Sequence, residues 1–567
     1  MTVDNIAPCA KTRKIALAFT AAAVSVNVWA GIWFRGDATT RLGRWDDLGC
    51  WWTWYTYANQ ATSLDGAAVK DVNIPRPHTV VVDEDLSTKY GGYYSLKAFS
   101  NEADHPATVR IVSGGTLRVD RGGVEDIGAY YDAFGATYKY GCLDIQAGGT
   151  NIGSLVVGSV GVGTVTNAGC NSFGNMKIGR DAESIGIYVH DGGYNKLDNA
   201  KDIDVGIDGY GELQVKSGTF GFKWYTSESQ IIGYTRIGCG TGGGRGLVQV
   251  DDGATFEGGL PYLGGNASTI GDGRVWLRGG TFRVLSDFGS ARSLDSMWIG
   301  AATDENGAVR AGTYGEISGW GAITGRDDNP NSVYARLGNG RIIADGEGVG
   351  RTLDCSAMWQ VTNVLFGAES TRSNGWYAIN KGAVIMPGVD VVRDNGGDAW
   401  AFREGTNAVG CCRGLRKPDL VNAVFVNVRV PWKAAGKYLG VMLLADDRSD
   451  AHASALGEMY MPLGFWKAGV FDSRTVFTSE KRQDIQWAEL DFRYDQSKIQ
   501  DAGHRLAVLR WSETNGKWTR LAKYDEQPED FIVSTGRFTE LSDDPVWGIG
   551  LFCVAEVLPK GMVISFK

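Results

Sequence analysis

Pairs of an apolar residue and glycine recur along the middle of the chain, and each pair precedes a short alternating strand. The segments GELQV, GLVQV and GRVWL alternate polar and apolar residues, which places one side-chain face towards a core. The apolar–glycine pairs follow one another at a mean step of 30 residues, which is typical of solenoids. In a solenoid each unit is stabilised by its neighbours, because one unit cannot bury its own apolar face. The glycines of these pairs are Gly158, Gly179, Gly206, Gly238, Gly271, Gly300 and Gly338.

This pattern predicts an all-β fold with a parallel β-solenoid (β-helix) over residues 96–393. Gly-Gly, Asp-Gly and Asn-Gly steps supply the turns, since glycine and asparagine tolerate positive φ. We expect Phe220, Phe256 and Phe282, in SGTF, GATF and GGTF, to stack in register inside the tube. An antiparallel sandwich or a propeller is the alternative; a propeller fits less well, because the repeat is shorter than 40 residues.

The chain changes character near residue 394, where glycine becomes sparser and the alternating strands lengthen. Residues 423–430, 487–494, 505–511 and 547–554 read as strands, and Asn515-Gly516 is a hairpin-turn signal. We therefore predict a C-terminal antiparallel β-sandwich over residues 394–567.

Residues 1–30 have the layout of a secretory signal peptide. Basic residues at positions 11, 13 and 14 precede the apolar run 15–28, and a Val-Trp-Ala step fits cleavage before Gly31. A membrane anchor fits less well, because a span needs about 20 apolar residues. We expect a secreted or cell-surface protein without a transmembrane span in the mature chain.

Residues 31–95 are crowded with tryptophan. Both ends of a solenoid expose strand edges and core, so terminal units that cover them are expected to look atypical. We predict a Trp-rich N-terminal cap here, and the alternative is an aromatic platform that stacks on sugars. The tryptophans are Trp33, Trp45, Trp51, Trp52 and Trp54.

Composition narrows the class of protein further. With 80 glycines but only 13 prolines, and 43% hydrophobic residues, the chain is folded and turn-rich rather than collagenous or disordered. The net charge of −9, with no run of Lys or Arg, argues against nucleic acid and anionic membranes as partners.

The cysteines do not suggest a metal site. Eight remain after residue 30, their spacing is irregular and no C-x-x-C occurs, so zinc is unsupported. We expect most of them to be small buried hydrophobes.

Two short motifs invite a chemical interpretation. GCGTGGGRG, residues 238–246, contains a G-x-G-x-x-G, but a strand follows it rather than a helix, which favours a corner turn over a phosphate loop. His190-Asp191 has the residue types of a base and its orienting partner, although YVHDGGY reads as a strand end and a turn.

The acidic candidates all lie in or beside glycine turns, where aspartate is favoured for backbone reasons alone. Calcium at such turns is the one cofactor that the sequence suggests, and the sequence assigns no residue as catalytic, cofactor-binding or metal-ligating. The candidates are Asp251-Asp252, Asp204 with Asp208, and Asp327-Asp328.

The glycine-turn repeat resembles the passenger regions of autotransporters and related exported bacterial β-helix proteins. GSLVVGSVGVGTVTNAG carries the likeness best, and the spaced tryptophans resemble the N-terminal cap of such proteins. The resemblance covers residues 31–390 and implies export. It departs from autotransporters in the last 170 or so residues, which lack the amphipathic strand series of an outer-membrane barrel.

Three functions compete. The leading hypothesis is a non-catalytic structural or adhesive protein, with polysaccharide or cell-surface components as partners. The alternative is a secreted polysaccharide lyase or glycoside hydrolase of β-helix type, which needs carboxylates, basic residues and tryptophan aligned on one face. A third interpretation makes the C-terminal sandwich a carbohydrate-binding module with exposed aromatics.

Overall fold

The computed structural model describes residues 31–559 with internal gaps. The predicted signal peptide, Asp327-Asp328, Gly338, Cys50 and Cys411-Cys412 lie outside the described residues. The gaps are 35–41, 46–50, 53–70, 76–77, 91–92, 94, 120–124, 129–130, 134–135, 198–200, 223–232, 267, 286–294, 301–309, 326–332, 338–339, 346–350, 356, 364–376, 387–391, 394–399, 403–404, 411–422, 431–433, 436–437, 472–484, 502, 529–530, 541 and 545–547.

Strands make up 64% of the structure and helices 4%, with parallel sheets and a C-terminal antiparallel sheet, which confirms the all-β prediction. One short helix, α1 (Leu86–Tyr90), and the 3₁₀ turns Ala451–Ala455 and Gln496–Lys498 are described. The first strands are β1 (Gly31–Phe34), β2 (Leu42–Arg44), β3 (Trp51–Trp52), β4 (Asp71–Pro75), β5 (Thr79–Val82), β6 (Ser95–Phe99), β7 (Ala107–Ile111), β8 (Thr116–Val119), β9 (Glu125–Ile127), β10 (Tyr131–Ala133), β11 (Ala136–Tyr138), β12 (Tyr140–Ile145), β13 (Thr150–Val157) and β14 (Val162–Asn167).

The middle strands are β15 (Cys170–Ile178), β16 (Ile185–Leu197), β17 (Ile203–Val205), β18 (Tyr210–Phe222), β19 (Thr235–Ile237), β20 (Gly244–Asp251), β21 (Thr255–Gly259), β22 (Pro261–Leu263), β23 (Gly265–Asn266), β24 (Thr269–Leu285), β25 (Asp295–Ile299), β26 (Thr313–Thr324), β27 (Val333–Leu337), β28 (Gly340–Asp345), β29 (Thr352–Asp354), β30 (Met358–Asn363) and β31 (Tyr377–Met386). The last strands are β32 (Val392–Arg393), β33 (Trp400–Phe402), β34 (Gly405–Gly410), β35 (Ala423–Val430), β36 (Ala434–Ala435), β37 (Tyr438–Ala445), β38 (Tyr460–Phe471), β39 (Trp487–Arg493), β40 (Arg505–Ser512), β41 (Lys517–Tyr524), β42 (Ile532–Ser534) and β43 (Gly550–Val557).

The chain divides into two compact units. Unit 1 comprises residues 1–259 and 268–273, and unit 2 comprises residues 260–267 and 274–567.

Unit 1 contains three parallel ladders. The first runs β5–β7–β12–β14–β16–β18–β20. The second runs β8–β13–β15–β16–β18–β21. The third runs β1–β4–β6–β9–β13–β15–β17–β19. Parallel pairing therefore begins at β1 and β4, within the segment predicted as the cap.

Alternation along each strand builds the core. In the first ladder Leu143, Val165, Tyr188, Leu213 and Val248 are register neighbours, and all five side chains have 0% exposure. In the second ladder the predicted aromatic stack is confirmed for Phe220 and Phe256, whose rings lie 6.2 Å apart at 26°. Phe282, in unit 2, is also fully buried.

Glycines turn the chain at a corner of the third ladder. Gly158, Gly179, Gly206 and Gly238 have φ between +62° and +69°. Each amide donates to a carbonyl at the end of the preceding strand of the third ladder; Gly179 N–H, for example, bonds Val157 O at 2.8 Å. A Cβ on any of them would collide with backbone that follows later in the chain, so these corners require glycine for space as well as for φ.

The prediction that Gly271 belongs to this series is wrong. Gly271 lies inside β24, where its neighbour Ile270 exchanges backbone hydrogen bonds with Gly240. Gly264 has the expected left-handed φ of +80° instead, and Gly300 N–H donates to Leu263 O at 2.7 Å. Leu263-Gly264 is therefore the apolar–glycine pair that turns the chain at this point of unit 2.

In unit 2 the parallel pairings include β22–β25–β27–β30 and β26–β28–β31. The strand β31 also pairs antiparallel with β37, from Gly382–Leu443 to Met386–Leu439. One strand thus ends the parallel ladder and begins an antiparallel sheet, which continues through β38, β43, β40 and β41.

A second antiparallel ladder, β34–β35–β39–β42, packs on that sheet. Phe492 of β39 contacts Trp466 and Phe552 with ring centroids 5.5 and 5.8 Å away. The predicted hairpin is confirmed: Trp511 pairs with Trp518 across a turn in which Gly516 has φ +58°.

Trp45 and several cysteines are core residues. Trp45 is 1% exposed and donates from Nε1 to Tyr93 Oη at 2.9 Å, which fits a cap better than a sugar platform.

Cys239, Cys355 and Cys553 are buried as expected, whereas Cys170 is exposed. In the described part of the chain, no helix has the length and apolarity that a membrane crossing requires.

The corner geometry predicts that Gly179→Ala lowers the free energy of unfolding by about 3 kcal/mol, since it combines left-handed strain with a collision against Tyr210 O. Gly516→Ala has the same φ problem but nothing within 4 Å, so it should cost about 1–2 kcal/mol. Gly457→Ala, also in open space, should be near neutral. Urea denaturation ranks the three; equal losses for Gly179 and Gly516 would contradict the importance of the close approach.

Candidate functional site

A column of asparagines lies inside unit 1. Asn151, Asn171 and Asn195 are register neighbours in the second ladder, and each has 0% exposure. Asn151 Nδ2 donates to Asn171 Oδ1 at 3.4 Å. Sequence reasoning missed this column, because asparagine near glycine reads as a turn residue. A signal existed: Asn151 and Asn171 stand seven and eight residues before Gly158 and Gly179.

Tyr188 connects the column to the first ladder. Its hydroxyl accepts from Nδ2 of Asn167, Asn171 and Asn195 at 2.9, 3.2 and 3.5 Å. Asn195 Nδ2 also lies 2.5 Å from Nδ1 of His190. Burial raises the pKa of Tyr188, so the phenol stays neutral and serves as a shared acceptor in the core.

The candidate pair His190-Asp191 is not brought together. His190 has 0% exposure inside unit 1, and its ring packs 5.7 Å from Phe220. Asp191 is exposed and accepts from Ser217 Oγ at 3.3 Å. Adjacent strand residues point to opposite faces, so Asp191 cannot orient this imidazole.

Glu125 lies at the start of the asparagine column. Its side chain has 0% exposure, and Oε2 accepts from Asn151 Nδ2 at 2.7 Å. Glu125 Oε1 and Asn151 Oδ1 are buried acceptors without a hydrogen-bond partner among the described residues. Desolvation raises the pKa of Glu125 to about 7, against the stabilising hydrogen bond from Asn151. A proton on this carboxyl would supply a donor where two acceptors lack one.

A row of charged side chains follows the third ladder, on the strand face opposite the apolar core residues. Register places Lys97 beside Asp126, and Lys177 beside Asp204, which neighbours Arg236. Arg236 bonds Asp204 from Nε at 2.5 Å, and its Nη2 lies 2.6 Å from Asp202. These carboxylates are aligned, as a polysaccharide-cleaving site would require, but neighbouring cations compensate them.

Asp126 of this row is buried at 8% exposure, and Asp204 is more deeply buried at 2%. Desolvation raises the pKa of Asp126 to about 6, although Arg180, Lys97 and a hydrogen bond from Ser159 lower it. Arg180 also donates to Ser159 Oγ at 2.6 Å and pairs with Asp181 at 2.7 Å. The group is a compact ionic corner rather than an open catalytic pair.

The glycine-rich loop 238–246 is held by the candidate Asp208. Its Oδ1 accepts from Gly242 N at 2.7 Å and from Thr241 Oγ1 at 3.4 Å. The Asp208 carboxylate therefore occupies an amide donor that a phosphate would need. This contact favours a corner turn over a phosphate-binding loop. Of the other acidic candidates, Asp251 accepts from Gln249 Nε2 at 2.7 Å, and Asp252 is exposed.

The described ranges contain no group of three or more His, Cys, Asp or Glu side chains that could hold a metal ion. Calcium at the turns stays a prediction.

Unit 2 carries a surface that combines arginine with aromatic rings. Val275 and Leu277 of β24 are fully buried, so the alternate residues Arg274, Trp276 and Arg278 face outward and are exposed. We call this face, with its neighbours on the next strands, the cation–aromatic strip. Its residues are Arg274, Trp276, Arg278, Tyr314, Trp320 and Arg351.

Three guanidinium groups of the strip lie over rings. Arg274 is 5.2 Å from the centre of Tyr314, Arg278 is 5.1 Å from Trp276, and Arg351 is 4.8 Å from Trp320. Trp276 is 37% exposed. Since Arg278 lies over the ring and about a third of the residue is exposed, part of the indole is accessible to a ligand.

A second aromatic column in unit 2 lacks such an exposed indole. Trp298 stacks on Tyr262 with centroids 4.5 Å apart at 7°, and Arg336 lies 5.7 Å from its ring. Register neighbours on both sides therefore cover the indole, which stabilises the ladder and leaves little ring face for a sugar.

The aromatic residues of the C-terminal hairpin are similarly engaged. Trp511 contacts Trp518 at 5.3 Å and His452 at 5.0 Å. Trp518 packs on Phe465 at 5.7 Å and donates from Nε1 to His452 O at 3.1 Å. These contacts make the cluster a small satellite core, so the strip is the stronger candidate for binding.

Comparison with known proteins brings no relative: no family model, no curated protein and no solved structure matches this chain.

The Glu125 environment predicts a pH dependence of stability. The folded state raises this pKa from 4.5 to about 7, so folding favours the protonated carboxyl. Stability from this group is full below pH 4.5 and falls as the pH rises towards 7, by about 3 kcal/mol. Glu125→Gln keeps the shape without the charge, and should stabilise the protein at pH 8 but not at pH 4.

Urea denaturation of wild type and Glu125→Gln from pH 4 to 8 measures this difference, and Asp126 contributes equally to both curves. Glu212→Gln, on the outer face of β18, is the control. Parallel stability curves for wild type and Glu125→Gln would show that Glu125 does not titrate in this range.

Proposed function

We propose that this chain is a secreted or surface-associated, non-catalytic β-solenoid protein that binds glycans through the cation–aromatic strip. The exposed part of the Trp276 indole, beside Arg278, carries the proposal. Exposed indoles are costly in water, and a flat apolar ring beside polar groups suits the C–H face of a sugar ring.

The three parallel ladders of unit 1 support the solenoid interpretation. Successive coils return to the same ladders in register, and glycine corners join them. The two antiparallel ladders that pack through Phe492 support a sandwich in the C-terminal part. The basic and apolar pattern of residues 1–30 supports export.

Cleavage of polysaccharide is the alternative, and the aligned charges Asp126, Asp204 and Lys177 are its best support. A hydrolase needs two carboxylates close enough to flank one bond, about 5–10 Å apart. Register separates Asp126 from Asp204 by Val156 and Lys177, so three strand spacings of about 4.8 Å lie between them. The charge of Asp204 is also neutralised by Arg236. This row of charges therefore fits a protein without cleavage activity better than a hydrolase.

A panel of neutral and acidic polysaccharides tests the proposal with the purified full chain. We expect saturable binding of at least one glycan and no new reducing ends or unsaturated products. Trp276→Ala should weaken binding by about tenfold or more without shifting the melting temperature, because the residue is exposed.

Trp298→Phe is the matched control, since the faces of that indole are already covered; it should bind like wild type. Absence of binding across the panel contradicts the proposed function, and turnover of a bound glycan contradicts its non-catalytic part.

A further inference from the structure

We infer that β41 is a binding edge for an extended acidic segment of another protein, which would join the C-terminal sheet as a further strand. This inference goes beyond the proposed function and uses no residue of the cation–aromatic strip. The antiparallel sheet runs from β37 through β38, β43 and β40 to β41 (Lys517–Tyr524). In the part of the chain that the structure describes, the one ladder formed by β41 is with β40.

The exposure of β41 is that of an edge strand. None of its eight residues is buried, whereas β43 is buried at every residue but the last and β40 is buried over its first half, from Leu506 to Leu509. An edge strand presents a row of N–H and C=O groups that can pair with another chain. Extended peptides bind to such edges, where main-chain hydrogen bonds give affinity and alternate side chains give specificity.

The register with β40 places three side chains of β41 on one face, at alternate positions of the neighbouring strand. They are Trp518, Arg520 and Lys523, which lie opposite Trp511, Leu509 and Ala507. A register shift after Arg520 accounts for the step of three residues to Lys523. A strand added beside β41 would therefore meet an aromatic ring followed by two exposed cations.

The charge of β41 selects the partner. The strand contains three basic residues and no acidic one, in a chain with a net charge of −9. A second copy of β41 would bring cations beside cations, which is unfavourable between neighbouring strands. An acidic strand would form opposite-charge pairs at the same positions, so the residues that repel a second copy favour an acidic partner.

Arg520 contributes more to this selectivity than Lys523. Lys523 pairs with Asp525 at 2.7 Å, just beyond the end of the strand, and Asp525 also lies 3.5 Å from Arg505. Arg520 is exposed in the middle of the strand, on the face that it shares with Trp518. Its guanidinium can bind a carboxylate through two hydrogen bonds, so we expect an acidic residue of the partner to lie beside it.

Fluorescein-labelled peptides of alternating glutamate and threonine test the inference with the purified full chain. Threonine favours extended backbone, and a peptide with lysine in place of glutamate has the opposite charge. Fluorescence anisotropy should show saturable binding of the acidic peptide, about tenfold or more tighter than that of the basic one. An acidic peptide that is N-methylated at every amide keeps its charge but has no N–H to donate, so it should lose this binding.

A charge reversal at the edge provides the second measurement. Arg520→Glu should weaken binding of the acidic peptide by about tenfold or more and strengthen binding of the basic one. The melting temperature should not change, because the residue is exposed. Arg505→Glu is the matched control: this exposed arginine belongs to β40, which lies between β41 and β43, so the variant should bind like wild type.

Equal binding of the acidic and basic peptides overturns the inference, and so does a lack of binding by both. Undiminished binding of the N-methylated peptide would show charge attraction without strand pairing, and an equal loss in Arg505→Glu would show that the edge is not the site. Dimerisation of the wild-type chain that the acidic peptide reverses would assign the edge to a second copy. Each of these results leaves glycan binding by the strip untouched.

Discussion

The close approach of consecutive backbones at the glycine corners is the constraint on which the parallel ladders depend. The amide of each corner glycine bonds a carbonyl of the preceding strand of the third ladder, and backbone from later in the chain fills the space that a Cβ would need. Strand register follows, because a corner fixed on both sides leaves each strand one alignment. The interior columns, from Leu143 to Val248, are the consequence.

The interior is not uniformly apolar. The asparagine column and Tyr188 place polar groups at buried positions where leucine side chains would carry no desolvation cost. Nearly all of these polar groups are hydrogen-bonded to one another. Such a network fixes alignment, because a slipped strand would leave buried amides unpaired. Glu125 and Asn151, at the start of the column, retain the unsatisfied acceptors, so this is where the network responds to a proton.

Local chemistry made much of the fold predictable. Left-handed φ at Gly206 and the Asn515-Gly516 hairpin follow from residue type alone, and both are confirmed. The error at Gly271 arose because the Leu263-Gly264 and Ile270-Gly271 pairs, seven residues apart, look alike in sequence. The cation–aromatic strip could not be predicted from residue type alone, because Arg274 and Tyr314 lie on different strands. Alternation along a strand does not indicate which exposed arginine lies over which ring.

The double pairing of β31 has a consequence for assembly. A parallel ladder with an open last strand is a template for further strands, including those of another molecule. Here β37 occupies that edge in the opposite direction, so the last strand of the parallel ladder is already paired within the chain. The C-terminal sheet thus covers a strand edge that would otherwise be available to another molecule.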